Sequence, residues 1–236
     1  ARLIAETVEQ MKRGGYGGVD VDFEFLGAEL ADAFAGFLGE LRAAVHAAGG
    51  IVVCALAPKT SAEQRGVLYE GHDYRRIGEN ADAVLLMTYE WGYTYGPPMA
   101  VAPIGAVRRV VEYALTQIPA SKILLGFPNY AYDWTLPYAA GESRARSLGN
   151  EAAAALAVQV GAEICFDEAA QTPYFSYTDR TGAVHEVWFE DPRSCAAKYD
   201  LAQEYSLRGF GFWNFMRPFT AAFALLNARF TILPGV

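Results

Sequence analysis

Short apolar runs rich in β-branched and aromatic residues alternate along this chain with longer segments of helical period. Residues 18–25, 51–56, 83–89, 123–128 and 209–215 read as strands. Between them the period predicts helices over 30–48, 74–79, 104–117, 149–160 and 194–204, and another over 3–12 ahead of the first strand. Asp191-Pro192 supplies a helix N-cap followed by proline at the first helical position. Alternating strands and helices argue for βα units and a parallel sheet.

One stretch breaks the alternation. Residues 172–177 and 184–189 flank the turn Asp179-Arg180-Thr181-Gly182 and predict a β-hairpin, an insertion covering about residues 165–191. The chain otherwise reads as one domain over residues 1–236, without internal repeat, low-complexity tract or linker.

Five parallel strands fit a doubly wound sheet or part of a (β/α)₈ barrel. The polar residues favour the barrel. Asp22 and Glu24, Tyr89 and Glu90, the segment from Tyr130 to Trp134, and Trp213 with Asn214 all fall at C-terminal strand ends. Barrel sites gather residues from several strand ends, whereas an open sheet collects them at one switch point.

The richest segment is Gly17-Gly18-Val19-Asp20-Val21-Asp22-Phe23-Glu24. A strand's period of two puts Asp20, Asp22 and Glu24 on one face and Val19, Val21 and Phe23 on the other. Aligned carboxylates are costly to bury unless they share protons or hydrogen bonds, and their repulsion raises at least one pKa. A carboxyl kept protonated near neutral pH can serve as a general acid. A Ca²⁺ or Mg²⁺ site and a purely structural strand are the alternatives that the pattern leaves open.

Composition narrows the partners. The net charge is −8 without a run of Lys or Arg, a poor basis for binding nucleic acid or an anionic membrane. No apolar stretch approaches the length of a membrane span. Aromatic residues make up 14% of the chain, which suits a large core or a carbohydrate cleft. Cys54, Cys165 and Cys195 are widely spaced and read as buried small hydrophobes; His46, His72 and His185 are too scattered to suggest a metal site.

These segments carry a resemblance to glycoside hydrolase family 18. Asp20, Asp22 and Glu24 match the family's D-x-x-D-x-D-x-E signature, with Gly17 standing where its first Asp would be. Met87-Thr88-Tyr89-Glu90 resembles the sixth-strand M-x-Y-D motif, with Glu90 in place of Asp. Gly126-Phe127-Pro128-Asn129-Tyr130 and Gly209-Phe210-Gly211-Phe212-Trp213 resemble the seventh and eighth strands. Residues 88–98, 187–191 and 213–218 are more narrowly similar to the spore cortex-lytic branch.

The resemblance implies a retaining hydrolase of β-linked N-acetylhexosamine glycans, either spore peptidoglycan or chitin-type, acting in the spore coat or cortex, the cell wall or outside the cell. A carbohydrate-binding protein on the same scaffold is the rival. It implies Glu24 as acid, Asp22 and Tyr89 as its catalytic partners, and Asp20, Glu90, Trp91, Tyr130 and Trp213 as substrate-binding residues. Neither a metal nor an organic cofactor is called for. Trp91, Tyr93, Tyr95, Tyr132 and Trp134 are further candidates for stacking on sugars.

Because the signature belongs to the fourth strand, the resemblance also implies a partial barrel, strands four to eight, with the first three absent. Its two edges, at 18–25 and 209–215, are then open, with Phe210 and Phe212 expected to be exposed there and to promote non-specific association.

Overall fold

The computed structural model describes residues 1–233. In chain order its first elements are α1 (Arg2–Gly14), β1 (Gly18–Val21), α2 (Ala31–Ala47), β2 (Ile51–Leu56), α3 (Tyr74–Asn80), β3 (Ala83–Leu86), α4 (Ile104–Leu115) and β4 (Ile123–Pro128). There follow β5 (Ala131–Leu136), β6 (Arg146–Leu148), α5 (Asn150–Val160), β7 (Cys165–Asp167), β8 (Thr172–Thr178) and β9 (Val184–Trp188). The last are α6 (Pro192–Glu204), β10 (Gly209–Trp213) and α7 (Thr220–Arg229).

Strands β1, β2, β3, β4 and β10 form one sheet in that order, and all four pairings are parallel. The order follows the chain and never reverses, so the sheet has no switch point and is an arc of a (β/α)₈ barrel. Among the described residues β1 pairs only with β2, and β10 only with β4, leaving the arc two free edges.

The outward side of the arc is sealed. Val52, Cys54, Leu56, Val84, Leu86, Ile123 and Leu125 form one cluster with Leu38, Leu41 and Val45 of α2 and Val107, Val110 and Val111 of α4. The alternate residues Val53, Leu85 and Leu124 are only half-buried. The interior of the arc is therefore its open side.

At the far edge, Phe210 and Phe212 depart from the sequence expectation. They are half-buried and turned outward against Tyr199 of α6, Phe127 of β4 and Phe223 of α7. Helix α7, which carries Phe223, has no apolar stripe strong enough to be read from sequence alone. The residues exposed near this edge are Trp213, Phe215 and Met216.

The predicted hairpin is β8 and β9, but it belongs to a larger element. An antiparallel sheet of order β6-β5-β9-β8-β7 draws in residues from 131 onward. Its face bearing Tyr132, Trp134 and Trp188 packs with Tyr130, Ala100 and Val101. The opposite face, with Ala131, Phe175 and Val187, covers Ala153 and Ala157 of α5. Cys54 and Cys195 are buried, but Cys165 is exposed, because it lies on the outermost strand of this second sheet. Among the described residues no helix is long and apolar enough to cross a membrane.

Candidate active site

Three of the strands end sooner than their apolar patterns suggest. β1 stops at Val21, β3 at Leu86 and β10 at Trp213. Asp22, Glu24, Tyr89 and Glu90 therefore occupy the connections just beyond the C-terminal strand ends, where the chain is free of the sheet's ladder. Only Asp20 has its direction set by the strand period. Phe23 keeps to the outward face with Val19 and Val21 and stacks on Phe34 and Phe37 of α2, with ring centroids 5.8 and 5.7 Å apart.

The three carboxylates share one electrostatic environment. Glu24 is held above the usual carboxylate range, first by loss of hydration and then by the negative charges of Asp22 and Glu90. Asp20 is raised too, by loss of hydration and by Asp22. Both side chains remain open to solvent along the interior of the arc, so dehydration here is partial.

Tyr89 faces the same group from the end of β3. Burial raises its phenol pKa, and the charges of Asp22, Glu24, Asp20 and Glu90 raise it further. Its hydroxyl is therefore a firm hydrogen-bond donor at neutral pH. Gly126 on β4 makes room for it: a Cβ there would collide with the Leu86 carbonyl and stand 3.0 Å from the Tyr89 ring. Thr88, fully buried, ties the two strand ends together through a 2.8 Å hydrogen bond to the Gly126 carbonyl.

Glu90 adopts a left-handed backbone conformation, φ 68°, and accepts a 3.0 Å hydrogen bond from Tyr132 Oη. Tyr130 packs edge-on between Tyr89 and Tyr132, with centroid distances of 6.4 and 5.6 Å. Its hydroxyl is buried, and that burial, together with the neighbouring Glu90 carboxylate, pushes its pKa up. The antiparallel sheet thus supplies one wall of the site, through Tyr132.

Trp213 lies opposite Pro128 in the β10–β4 register, 54% exposed on the rim of the arc. Its carbonyl accepts a 2.7 Å hydrogen bond from the Asn129 backbone N–H. Trp91 is placed differently. It is half-buried against the outer core and lines a separate cavity of about 330 Å³ with Thr60, Tyr69 and Arg109, which none of the carboxylates borders. Trp134 is buried within β5 and donates to the Gly96 carbonyl at 2.8 Å, so its ring is a packing element and is not available to a sugar. Tyr93 and Tyr95 are exposed. Among the described residues no three His, Cys, Asp or Glu side chains converge as a metal-binding group.

A sequence profile described as glycosyl hydrolases family 18 matches residues 1–217. The chain belongs to that family. Among family 18 relatives, the cortical fragment-lytic enzyme of Bacillus subtilis (strain 168) is 49% identical over 232 residues, covering 98% of this chain and 54% of that protein. The crystal structure of the spore cortex-lytic enzyme SleL from Bacillus megaterium QM B1551 superposes with a TM-score of 0.95 at 42% identity, over 99% of this chain and 54% of that one. A chitinase from Chromobacterium violaceum ATCC 12472 superposes with a TM-score of 0.88 at 28% identity, over 95% of this chain and 69% of its own. The chain thus spans about half the length of the cortex-lytic relatives it matches.

Sequence reasoning brought out the carboxylates, Tyr89 and Glu90 but missed two supports. Tyr132 reads as one loop aromatic among several, because only the folding of the second sheet brings it to Glu90. His72 reads as an isolated histidine, although it contacts the backbone between Asp22 and Glu24.

Proposed function

We propose that this chain carries the acid machinery of a retaining glycosidase that cleaves β-linked N-acetylhexosamine glycans with the substrate's own acetamido group as nucleophile. The observation that carries the reading is Glu24, a carboxyl raised by dehydration, Asp22 and Glu90 and facing the Tyr89 hydroxyl. Such a group keeps a transferable proton at higher pH than an ordinary carboxylate does.

In this reading Glu24 protonates the leaving glycosidic oxygen while the 2-acetamido carbonyl oxygen attacks the anomeric carbon. The bond to the leaving group breaks as the oxazolinium ring closes. Asp22 accepts a hydrogen bond from the acetamido N–H and balances the positive charge of the ring. Tyr89 donates to the acetamido oxygen and holds it on line for attack. Glu24, now ionised, then takes a proton from water, which opens the ring on the face the leaving group left. Two displacements return the original anomeric configuration. Family 18 is a recognised exception to the use of a second carboxylate as nucleophile.

Asp20 lies beside Asp22 at the inner end of the site in this scheme. Glu90 and Trp213 contact the sugar, Trp213 as an apolar floor, while Tyr130, buried between Tyr89 and Tyr132, supports them from behind. Trp91, on its separate cavity, serves a more distant part of the glycan. The relatives named for cortex lysis favour peptidoglycan of the spore cortex as substrate, with action at the cortex or cell wall. Chitin-type oligosaccharides are the second choice, on the strength of the likeness to a chitinase.

Glu24→Gln tests the assignment in the full chain. Turnover of muropeptides and chitooligosaccharides, followed by mass spectrometry, is expected to vanish while binding by calorimetry survives. Equal rates for the variant and its parent would remove Glu24 from the role. An inverted first product by NMR, or hydrolysis of substrates lacking the acetamido group, would remove the mechanism.

A further inference from the structure

The segment bearing Asp22 and Glu24 lies beyond the end of β1, so no sheet ladder holds it. It passes through Phe25 in a left-handed conformation, φ 56°, which a phenylalanine adopts only under constraint. Two backbone acceptors in this segment do find partners, and both partners come from Gly71-His72, just before α3. The Gly71 N–H donates to the Leu26 carbonyl at 3.0 Å. The His72 ring bonds the Phe23 carbonyl, between Asp22 and Glu24, through Nε2 at 2.9 Å.

The tautomer of His72 follows from its neighbours. The Ala57 backbone N–H can only donate, and it meets Nδ1 at 2.9 Å. Nδ1 must therefore be bare, and the proton sits on Nε2, where the Phe23 carbonyl can only accept. A neutral ring satisfies both bonds, whereas a second proton would set two donors against each other at Ala57. The ring is 1% exposed and stacks on Phe34. Burial and the nearby Lys59 charge disfavour the protonated form, while the Phe23 bond and the Asp22 charge oppose them less strongly.

The clamp is itself anchored. Lys59 Nζ donates to the His72 carbonyl at 3.1 Å. Tyr74 Oη accepts from the Lys59 N–H and donates to the Ala57 carbonyl. Gly71 fits only because it lacks a side chain, since a Cβ would collide with Leu26. The connection after β2 and the start of α3 thus form a rigid seat for residues 22–26.

We propose that His72 is a positioning residue for the acid: its neutral ring fixes the Phe23 carbonyl and so sets the direction in which Glu24 and Asp22 leave the strand. This rests on the glycosidase reading above. A small displacement of a reacting group costs far more in rate than in binding.

The test compares two amide variants in the full chain. His72→Gln sets an amide nitrogen where Nε2 stands and keeps the bond to Phe23. His72→Asn sets its amide oxygen near Nδ1, keeps the bond to Ala57 and loses the one to Phe23. His72→Asn is expected to lower kcat by roughly 10- to 100-fold with KM within about threefold, and His72→Gln to recover most of the rate. The alkaline limb of the pH–rate profile should move to lower pH in His72→Asn, as a freed Glu24 gains hydration. Amide exchange over residues 22–26 should quicken in His72→Asn and stay near the parent's in His72→Gln.

Equal loss of rate in both variants, in step with their melting temperatures, would reduce His72 to a stability residue and overturn the proposal. So would exchange over residues 22–26 that is unchanged in His72→Asn. A parent chain inactive on every glycan would instead remove the glycosidase reading, and the exchange comparison would still decide whether the clamp exists.

Discussion

Tyr132 on the antiparallel sheet reaches Glu90 at the end of β3 with a 3.0 Å hydrogen bond, joining the two sheets of the molecule at the candidate site. Glu90 needs that anchor, because its φ of 68° is unfavourable for a residue with a side chain. Tyr132→Phe is expected to raise KM several-fold while changing stability by only about 1 kcal/mol. Steady-state kinetics and chemical denaturation measure the two effects. An unchanged KM would mean that Glu90 needs no anchor in order to bind the substrate.

The raised pKa of Glu24 gives a signed expectation for the pH–rate profile. A general acid works while protonated, so activity falls as pH rises through its pKa. Glu90→Gln removes one repelling charge and Asp22→Asn another, the one that bears more strongly on Glu24. Each should shift the alkaline limb of kcat/KM to lower pH, Asp22→Asn further, alongside its direct loss of rate. The same linkage applies to folding. Because Asp20 and Glu24 titrate higher when folded than unfolded, their contribution to stability is full in acid and is lost as pH rises through the folded values. Asp20→Asn should therefore raise the melting temperature at neutral pH, and the gain should shrink below the unfolded carboxylate range.

In the second sheet Asp133 is buried and accepts from Arg146 at 2.8 Å, Tyr177 at 3.0 Å and His185 Nδ1 at 2.8 Å. Removing it strands a half-buried His185 and the Tyr177 hydroxyl without their partner. Asp133→Ala is expected to cost roughly 3 kcal/mol or more by urea denaturation, and Asp133→Asn less, since an amide keeps one acceptor oxygen. A cost below about 1 kcal/mol for the alanine variant would show that water takes over these bonds.

The free edges of the arc are expected to make the polypeptide prone to associate. Trp213, Phe215 and Met216 are 54%, 75% and 89% exposed near one edge, and Phe23 and Phe25 are 42% and 63% exposed near the other. Sedimentation velocity is expected to show concentration-dependent species for this polypeptide, which an N-terminal extension to the length of the relatives suppresses. A clean monomer at high concentration would count against it.

What the sequence determined by itself is local. Alternating apolar runs and helical periods located the five parallel strands, since a strand buried on its outward face must carry its own β-branched residues. The spacing of Asp20, Asp22 and Glu24, with Tyr89 and Glu90 at a second strand end, singled these residues out as candidates. What only the tertiary structure decided depends on partners far apart in the chain. The strands end earlier than their apolar runs, because a ladder needs a neighbour and the pattern does not record where the neighbour stops. Phe212 is covered by Phe223 of α7, a helix whose weak apolar stripe gives no sign of it, and Phe210 by Tyr199 of α6. Tyr132 meets Glu90 only once residues 131–188 have closed into a second sheet. His72 meets Phe23 across 49 positions. A single histidine carries no periodicity, and its role arises from two backbone groups that the fold alone brings to its ring.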